Sequence, residues 1–267
     1  MAEEDQVVVT DLSKSFTRRG KTVQALSGIN LTIKEGEFVS LVGASGCGKS
    51  TFLRIVDGLS PASSGQVEVN GNLVKGPGVD RAFVFQQDRM LPWRTILDNI
   101  AFGLELQGKS KKQARESCRH LLGIVGLSKF ADSYPSELSG GMRQRANLAR
   151  AYAMDPRMLL MDEPYAALDG QTREMMQSWL LKTWDASRKT VLFVTHQIDE
   201  AVYLSDRVVV FTARPGRVKA EIEIDLPRPR SLEMKRSPEF SAYADQIWQL
   251  IKEEVKESME LEMQASQ

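Results

Sequence analysis

Apolar and polar positions along the first third of the chain follow the pattern that strands require. Short apolar runs are separated by glycine-containing turns, which predicts strands joined in hairpins. The apolar runs are 7–9, 23–33 and 38–42, and the turns are Arg18-Arg19-Gly20 and Glu35-Gly36-Glu37. We therefore expect an antiparallel β subdomain at the N-terminus. The basic cluster at the first turn fits a solvated hairpin turn better than a nucleic-acid contact.

The pattern changes to helical spacing in the middle of the chain. From Thr95 to about Gly126, apolar residues recur every three to four positions, which predicts helices. Another helix is predicted from Ser139 towards Met154. We expect these helices to form an inserted helical subdomain at about 95–155. Its basic residues are expected to form a solvated face: Lys109, Lys111, Lys112, Arg115 and Arg119.

Two short apolar runs farther along, 158–161 and 190–195, are separated by helical patterns. Such runs are typical of parallel strands that are buried on both faces and joined by helical crossovers. The fold is therefore predicted to be α/β, with a mixed or parallel sheet at its core. The Pro-rich segment 226–230 cannot continue a strand or a helix. We expect the main domain over 1–226 and a C-terminal helical extension over 227–267, packed on the core in its first half and solvated at its carboxylate-rich end.

Composition and charge narrow the classes of function. The 267 residues are 42% hydrophobic, which is enough apolar material for a buried core. The 35 Lys and Arg residues balance the 35 Asp and Glu residues, so we expect no nucleic-acid partner held by a general positive field. The longest uncharged stretch, 22–33, falls short of the ~18 residues that cross a bilayer as a helix. The acidic start lacks the basic and apolar regions of a secretory signal, and two cysteines are too few for a disulfide framework.

The segment 43–50, GASGCGKS, matches the phosphate-binding P-loop pattern in full. It follows a predicted strand and precedes a predicted helix, 51–56, as that pattern requires. Glycines let the backbone wrap a phosphate, and a helix N-terminus adds positive partial charge. The candidate nucleotide-binding residues are Gly43, Ser45, Gly46, Cys47, Gly48, Lys49, Ser50 and Thr51.

Individual residues of this loop have separate expected roles. Lys49 is expected against the β- and γ-phosphates, Ser50 on Mg²⁺ and Thr51 on a phosphate oxygen. Cys47 lies within the loop, so we expect its alkylation to block nucleotide binding sterically.

Two carboxylates, Asp162 and Glu163, end the apolar run 158–161. Open parallel sheets bind ligands at the carboxyl ends of their strands. With the P-loop upstream, Asp162 is expected to hold Mg²⁺ through water, and Glu163 to polarise the water that attacks the γ-phosphate. We therefore expect an enzyme that hydrolyses ATP.

A second anion-binding helix end is predicted at Ser139. This residue reads as an N-cap, and the N–H groups of Gly140 and Gly141 stand beside it. A capping serine with glycines is common at ordinary helix starts, so this feature is informative in combination with the P-loop and the acidic pair.

In that combination, the chain resembles the ATP-binding subunits of ABC (ATP-binding cassette) transporters from about residue 7 to residue 217. The motifs occur in the family's order, with the Walker A loop at 43–51 and the signature motif at 138–144. The resemblance makes Asp162 and Glu163 the Walker B pair. It implies a P-loop NTPase core, ATP and Mg²⁺ as cofactors, and ATPase activity.

The resemblance also assigns residues that pattern alone does not. Gln86 is the Q-loop glutamine, which reaches Mg²⁺ or water, and His196 is the switch histidine, which orients the γ-phosphate and the attacking water. Asp169 is the D-loop aspartate. Phe16 occupies the place of the adenine-stacking aromatic, with an apolar core or hairpin position as the alternative. The candidate catalytic residues are thus Glu163, His196 and Gln86, and the candidate metal ligands are Ser50, Gln86 and Asp162.

The family also implies partners. Two cassettes pair head to tail, so that Ser139 and Gly141 of one chain close over ATP on the loop of the other. A homodimer is therefore expected.

Several local features are similar to the nitrate, sulfonate and taurine branch of bacterial importers. These features are Met90-Leu91-Pro92-Trp93, Met142, the run 164–169 and Ala213-Arg214-Pro215-Gly216-Arg217. Members of that branch are peripheral to the cytoplasmic face of the inner membrane and serve a separate integral-membrane permease and, indirectly, a substrate-binding protein. The resemblance thus implies import of a small anionic solute. One apolar set either receives the permease's cytoplasmic helix or packs the insert: Leu91, Pro92, Trp93 and Phe102.

Three other functions stand as alternatives: a soluble ABC ATPase acting on ribosomes or chromosomes, an importer cassette for another small nutrient, and a P-loop kinase. The first class usually carries two cassettes or a long coiled coil, and a kinase would leave the Ser139 signature unexplained.

Overall fold

The structure, a computed structural model, describes residues 4–265. Its contacts divide the chain into two compact units. The first unit lies within residues 1–78 and 178–267, and the second comprises residues 79–177.

In chain order, the strands of the described residues are β1 (Asp5–Arg18), β2 (Lys21–Lys34), β3 (Phe38–Gly43), β4 (Ser64–Val69), β5 (Asn72–Leu73), β6 (Arg81–Val84), β7 (Met158–Asp162), β8 (Thr190–Val194), β9 (Arg207–Phe211) and β10 (Val218–Glu223). The α-helices are α1 (Lys49–Asp57), α2 (Ile96–Leu106), α3 (Lys111–Ile124), α4 (Gly140–Ala153), α5 (Gly170–Ser187), α6 (Ile198–Leu204) and α7 (Pro238–Ala265).

The first unit contains an antiparallel sheet and mixed pairing around β3. The antiparallel sheet has the order β2-β1-β4-β5, and its first hairpin pairs Arg18 with Lys21, so the basic cluster forms the predicted turn. Strand β3 is parallel to β8 and β9, and β10 is antiparallel to β9. Every residue of β3 and β8 is buried, as expected for apolar parallel strands. The predicted α/β class and N-terminal antiparallel sheet are confirmed.

The second unit holds the helices that the spacing predicts. Strand β6 is parallel to β7, and α2, α3 and α4 each begin after a capping side chain. Thr95 caps α2, Ser110 caps α3 and Ser139 caps α4, and each side chain accepts a hydrogen bond from a backbone N–H three residues on. Such caps satisfy N–H groups that a helix start leaves unpaired.

The predicted solvated basic face of the insert is wrong for Arg115, whose side chain is only 25% exposed, whereas Lys111 stays 61% exposed and also pairs with a carboxylate. Lys111 Nζ and Arg115 Nη1 lie 2.9 and 2.7 Å from the carboxylate oxygens of Asp98, which is buried in α2. Arg115 also pairs with Asp132 at 2.7 Å. Burial raises the pKa of Asp98, but hydrogen bonds from Lys111 and Arg115 outweigh it and hold that pKa below its usual value. Charge pairing therefore fixes α3 against α2.

The Pro-rich segment 226–230 is anchored through a buried arginine. Arg230 Nη1 donates to the backbone oxygens of Val202 (3.0 Å) and Ser205 (2.7 Å), and Nη2 donates to that of Ile224 (3.0 Å). Burial lowers the pKa of Arg230 to about 10. These bonds satisfy carbonyl groups at the end of α6 and tie the segment to it.

The C-terminal helix α7 packs its first half as predicted, because Phe240, Ile247 and Ile251 are buried. Its carboxylates were expected in solvent, and Glu254 contradicts this: its side chain accepts hydrogen bonds from Ala213 N and Lys219 Nζ, both at 2.6 Å. Side chains beyond residue 256 lie outside the described residues. In the part of the chain that the structure describes, no helix combines the length and the apolar character needed to cross a bilayer.

Candidate functional site

The GASGCGKS loop joins β3 to α1 in the first unit. Helix α1 begins at Lys49, and Gly48 is its N-cap with a φ of 106°. The Lys49 side chain is buried, and its Nζ donates hydrogen bonds to Gly43 O (2.8 Å) and Ala44 O (2.9 Å). The loop therefore wraps around an ammonium group at a helix N-terminus. Both features attract a phosphate group.

Two glycines of the loop are required by their backbone and by the space around them. Gly43 has a φ of 152°, and a β-carbon there would lie 2.8 Å from Phe211 O. A β-carbon at Gly48 would lie 2.7 Å from Leu26 Cδ2. Positive φ is disfavoured for residues with a β-carbon, and these contacts leave no room for one. The loop thus lies directly against β9 and β2.

Cys47 is buried within the loop, with its Sγ 3.5 Å from Lys49 Nζ. An alkylating reagent can reach this sulfur only when the loop opens. The loss of nucleotide binding on alkylation stays a prediction.

Phe16 lies on the hairpin of the first unit, opposite Val23. Its side chain is 47% exposed, which excludes a core position. Lys14 Nζ lies 5.0 Å from the centroid of its ring. An exposed ring on a regular strand offers a flat apolar face on which a base can stack.

His196 follows β8 and is exposed at the edge of a fixed turn. The hydroxyl of the preceding residue, Thr195, donates to Glu200 Oε2 at 2.6 Å and accepts from Gln197 N at 3.0 Å. Glu200 is buried on α6. The turn that carries His196 is therefore anchored on both sides.

Asp162 and Glu163 stand at the carboxyl end of β7 in the second unit. Asp162 is buried, and Glu163 has a φ of 46°. Gln86, two residues beyond β6, donates from Nε2 to Glu163 Oε2 at 3.3 Å. The structure thus brings together two of the residues that the sequence predicts to be catalytic.

The signature segment and the D-loop are neighbours in the second unit. Ser139 is exposed at the start of α4, and a β-carbon at Gly141 would lie 3.5 Å from Ala167 O. Asp169 Oδ1 accepts a hydrogen bond from Thr172 N at 3.0 Å at the start of α5. Hydrogen bonding from Thr172 lowers the pKa of the Asp169 carboxyl. Two capped helix starts therefore lie close together.

Sequence reasoning missed the polar contacts that hold the segment around Gln86. Arg143 Nε donates to Asp88 Oδ2 at 2.8 Å, and Gln144 Nε2 donates to Phe85 O at 3.3 Å. Both donors lie in the first turns of α4, directly after the signature glycines. The sequence does contain a signal for these contacts: polar side chains occur on a helix that is expected to pack within the insert.

The predicted site residues fall on both units. The first unit carries Phe16, the loop 43–51 and His196. The second unit carries Gln86, Ser139, Gly140, Gly141, Asp162, Glu163 and Asp169.

Comparisons with known proteins match this set of motifs. The ABC transporter family model matches residues 26–166. An uncharacterized ABC transporter ATP-binding protein of Methanocaldococcus jannaschii is 52% identical over 251 residues, which cover 94% of this chain and 93% of that protein. The nitrate import ATP-binding protein of a Synechocystis species is 45% identical over 250 residues, covering 91% of this chain and 94% of the relative. The taurine import ATP-binding protein of Rhizobium johnstonii is 46% identical over 237 residues, covering 86% and 90%.

A solved structure shows the same likeness in three dimensions. It is a dimeric ATP-binding cassette in a post-hydrolysis state, bound to ADP and Pi. It superposes with a TM-score of 0.76 at 33% identity, covering 83% of this chain and 100% of that chain. The family match spans more than half of the chain, and the relatives cover nearly all of it. The chain therefore belongs to the ABC transporter family, as an ATP-binding cassette that hydrolyses ATP.

Proposed function

We propose that the chain is the ATP-hydrolysing subunit of an importer that moves a small anionic solute through a separate membrane permease. The observation that carries the proposal is the presence of two anion-binding helix starts in one chain. One is the phosphate loop before α1, and the other is the exposed Ser139 cap before α4. The first suits ATP bound by this copy, and the second suits ATP held by another copy. The similarity to nitrate and taurine import proteins supports an anionic cargo.

ATP is proposed to bind the first unit with its phosphates on the loop 43–51. Lys49 faces the β- and γ-phosphates, and the adenine ring stacks on Phe16. The remaining loop residues contact phosphate oxygens: Gly43, Ser45, Gly46, Cys47, Gly48 and Thr51. The buried Lys49 ammonium and the exposed Phe16 ring support this placement.

Mg²⁺ is proposed to accompany the nucleotide at Ser50, Gln86 and Asp162. Hydroxyl, amide and carboxylate oxygens are hard donors of the kind that Mg²⁺ prefers. Asp162 is buried, and a buried carboxylate is stabilised by a cation beside it. When bound, the ion neutralises charge on the phosphates.

Glu163 is proposed to polarise the attacking water. A carboxylate has two oxygens, so Glu163 can accept the bond from Gln86 and still orient a water molecule. His196 is proposed to hold the γ-phosphate and that water in line. Gln86 precedes the helical insert in the chain and is proposed to link hydrolysis to it.

Two copies of the chain are proposed to close head to tail. Ser139, Gly140 and Gly141 of one copy, with its Asp169, contact the ATP on the phosphate loop of its partner. The similar solved cassette is dimeric, which supports this arrangement. A γ-phosphate held between two helix N-termini joins the copies, and its loss on hydrolysis weakens the contact.

The permease is proposed to contact the second unit around Trp93. The Trp93 side chain is 72% exposed, and Leu106 is exposed as well. Arg94 stacks over the ring of Phe102 at 4.5 Å and pairs with Glu105 at 2.9 Å. An exposed aromatic beside a fixed arginine is typical of a protein contact. With the permease as partner, the chain is proposed to act at the cytoplasmic face of the inner membrane, with a substrate-binding protein as an indirect partner.

Reconstitution tests this proposal. The chain is expressed with the permease encoded beside its gene, and ATP-dependent uptake of nitrate, taurine and alkyl sulfonates is measured in proteoliposomes. We expect Trp93→Ala to weaken permease binding about tenfold or more, because buried tryptophans dominate interfaces. Trp248→Ala, which removes another exposed indole, is the matched control and is expected to bind normally. Equal loss in both variants, or ATP-dependent sedimentation with ribosomes and no uptake, contradicts the proposal.

A further inference from the structure

A short loop between β9 and β10, residues 212–217, lies beneath the phosphate loop, and the C-terminal helix holds it there. We name it the supporting loop. We propose that Glu254 of α7 is a positioning residue for ATP binding, whose carboxylate fixes the supporting loop against the phosphate loop. This inference rests on the proposed placement of ATP at residues 43–51.

The supporting loop touches the phosphate loop through its backbone. A β-carbon at Gly216 would lie only 2.1 Å from Cys47 O, so the two chain segments are in direct contact. Gly216 N donates to Ala25 O at 2.9 Å, and Ser27 N donates to Gly216 O at 3.0 Å. Gly48 meets the same part of β2, because a β-carbon there would lie 2.8 Å from Ala25 O. The supporting loop therefore packs against Cys47, and β2 packs against Gly48.

The supporting loop is internally fixed by one hydroxyl group. Thr212 Oγ1 lies within hydrogen-bond distance of Ala213 O (3.0 Å) and Pro215 O (3.1 Å). It also accepts a hydrogen bond from Arg217 N at 3.0 Å. A shift at Ala213 is therefore transmitted to Gly216.

Glu254 holds the start of this loop from the side of α7. Its side chain is only 7% exposed and accepts from Ala213 N at 2.6 Å. Its other oxygen accepts from Lys219 Nζ at 2.6 Å, and Lys219 Nζ also donates to Leu250 O at 2.9 Å. The hydrogen bond to Glu254 raises the pKa of Lys219, so the Lys219 ammonium keeps its charge at neutral pH. A buried carboxylate that accepts two hydrogen bonds has a fixed position.

Removal of the Glu254 carboxylate acts through the loops rather than on the reacting atoms. The buried N–H of Ala213 would lose its acceptor, and the supporting loop would shift to find another. The packing of the supporting loop and β2 against Cys47 and Gly48 would then become less tight. We therefore expect weaker ATP binding with unchanged chemistry once ATP is bound.

Titration with a fluorescent ATP analogue and steady-state ATPase kinetics on the full chain test this inference. Glu254→Ala is expected to raise the Kd and KM for ATP about tenfold and to change kcat less than about twofold. Lys219→Met removes the ion pair between β10 and α7 but keeps the hydrogen bond from Ala213 N to Glu254. We expect it to lower the melting temperature similarly and to leave KM within about twofold of wild type. Glu253→Gln, on an exposed neighbour, controls for the loss of charge.

A rise in KM for Glu254→Ala alone supports the inference. An unchanged KM in that variant, or an equal rise in Lys219→Met, overturns it. Lys49→Ala tests the proposed ATP site separately: normal ATP binding by that variant contradicts the site itself. If Lys49→Ala loses binding while Glu254→Ala binds normally, only the inference about Glu254 fails.

A second variant covers the case in which Glu254→Ala does not fold. In Glu254→Gln, the single amide oxygen is expected to turn to the charged Lys219 ammonium, which leaves the NH₂ group facing the Ala213 N–H, so KM is expected to rise. Addition of Lys219→Met lets the amide oxygen turn to Ala213 N and is expected to restore KM. A normal KM in Glu254→Gln, or no restoration in the double variant, overturns the inference.

Discussion

Glu163 has a backbone conformation that few non-glycine residues adopt. Its φ is 46°, in the left-handed region, directly after the buried strand β7. Such conformations persist where the surrounding structure holds them, and they cluster at functional sites. The hydrogen bond from Gln86 fixes the end of the side chain as well. Backbone and side chain together fix the direction of the carboxylate, which suits its proposed role as a general base.

Glu163→Gln is therefore expected to leave ATP binding intact and to lower the hydrolysis rate by about 10²- to 10⁴-fold, because the amide cannot accept a proton from water. Phosphate release and a binding titration measure the two effects. Glu174→Gln, on the exposed side of α5, is the matched control and is expected to hydrolyse ATP normally. Turnover by Glu163→Gln within a few-fold of wild type would exclude Glu163 as the essential base.

At the scale of elements, one buried carboxylate joins two helices of the second unit. Asp98 of α2 pairs with Lys111 and Arg115 of α3, and its pKa is lowered in the folded chain. Asp98→Asn is expected to lower the free energy of unfolding at neutral pH by about 1–3 kcal/mol, because a charged acceptor for two cations is lost. Denaturant unfolding measures this change. Glu116→Gln, in an exposed ion pair of α3, is expected to cost less than about 0.5 kcal/mol.

The contribution of Asp98 also depends on pH in a defined direction. A carboxyl whose pKa is lowered by folding contributes its full stability above the unfolded value of 3.8. The contribution is lost as the pH falls below 3.8 and through the lowered folded pKa. The stability difference between wild type and Asp98→Asn should therefore shrink over that range. A difference that stays constant down to the lowest pH at which the chain folds contradicts the account.

Sequence reasoning predicted the elements better than their partners. The helix start at Ser139 was readable because a capping serine stands there, the start near Thr95 was readable from the apolar spacing, and the phosphate loop was readable because its residues are contiguous in sequence. The pairing of Asp98 with Arg115 was not readable, because it depends on which faces of α2 and α3 meet. The hydrogen bond from Arg143 to Asp88 was not readable for the same reason, because it joins residues far apart in sequence. Helix starts and loop motifs depend on residues close together in sequence, so they can be predicted from it. Contacts between elements depend on how the elements pack, so they cannot.

At the scale of the whole molecule, the order of motifs along the chain predicted the family before any coordinates. The role of the last helix could not be predicted, because its carboxylates resemble a solvated tail and Glu254 is nevertheless buried against Ala213 and Lys219. That contact joins residues far apart in sequence. The proposed role of Glu254 therefore assigns part of the support for the phosphate loop to a residue outside the motifs that define the family.

In the proposed mechanism, ATP joins two copies of the chain, and every other step depends on this. Light scattering of the purified Glu163→Gln variant with Mg²⁺ tests it most directly, because bound ATP is not consumed. The account predicts twice the monomer mass with saturating ATP and the monomer mass with ADP. Ser139→Arg in the same background is expected to abolish the dimer, because a bulky cation replaces the helix cap. A Glu163→Gln chain that stays monomeric at saturating ATP, even with the permease present, contradicts the claim.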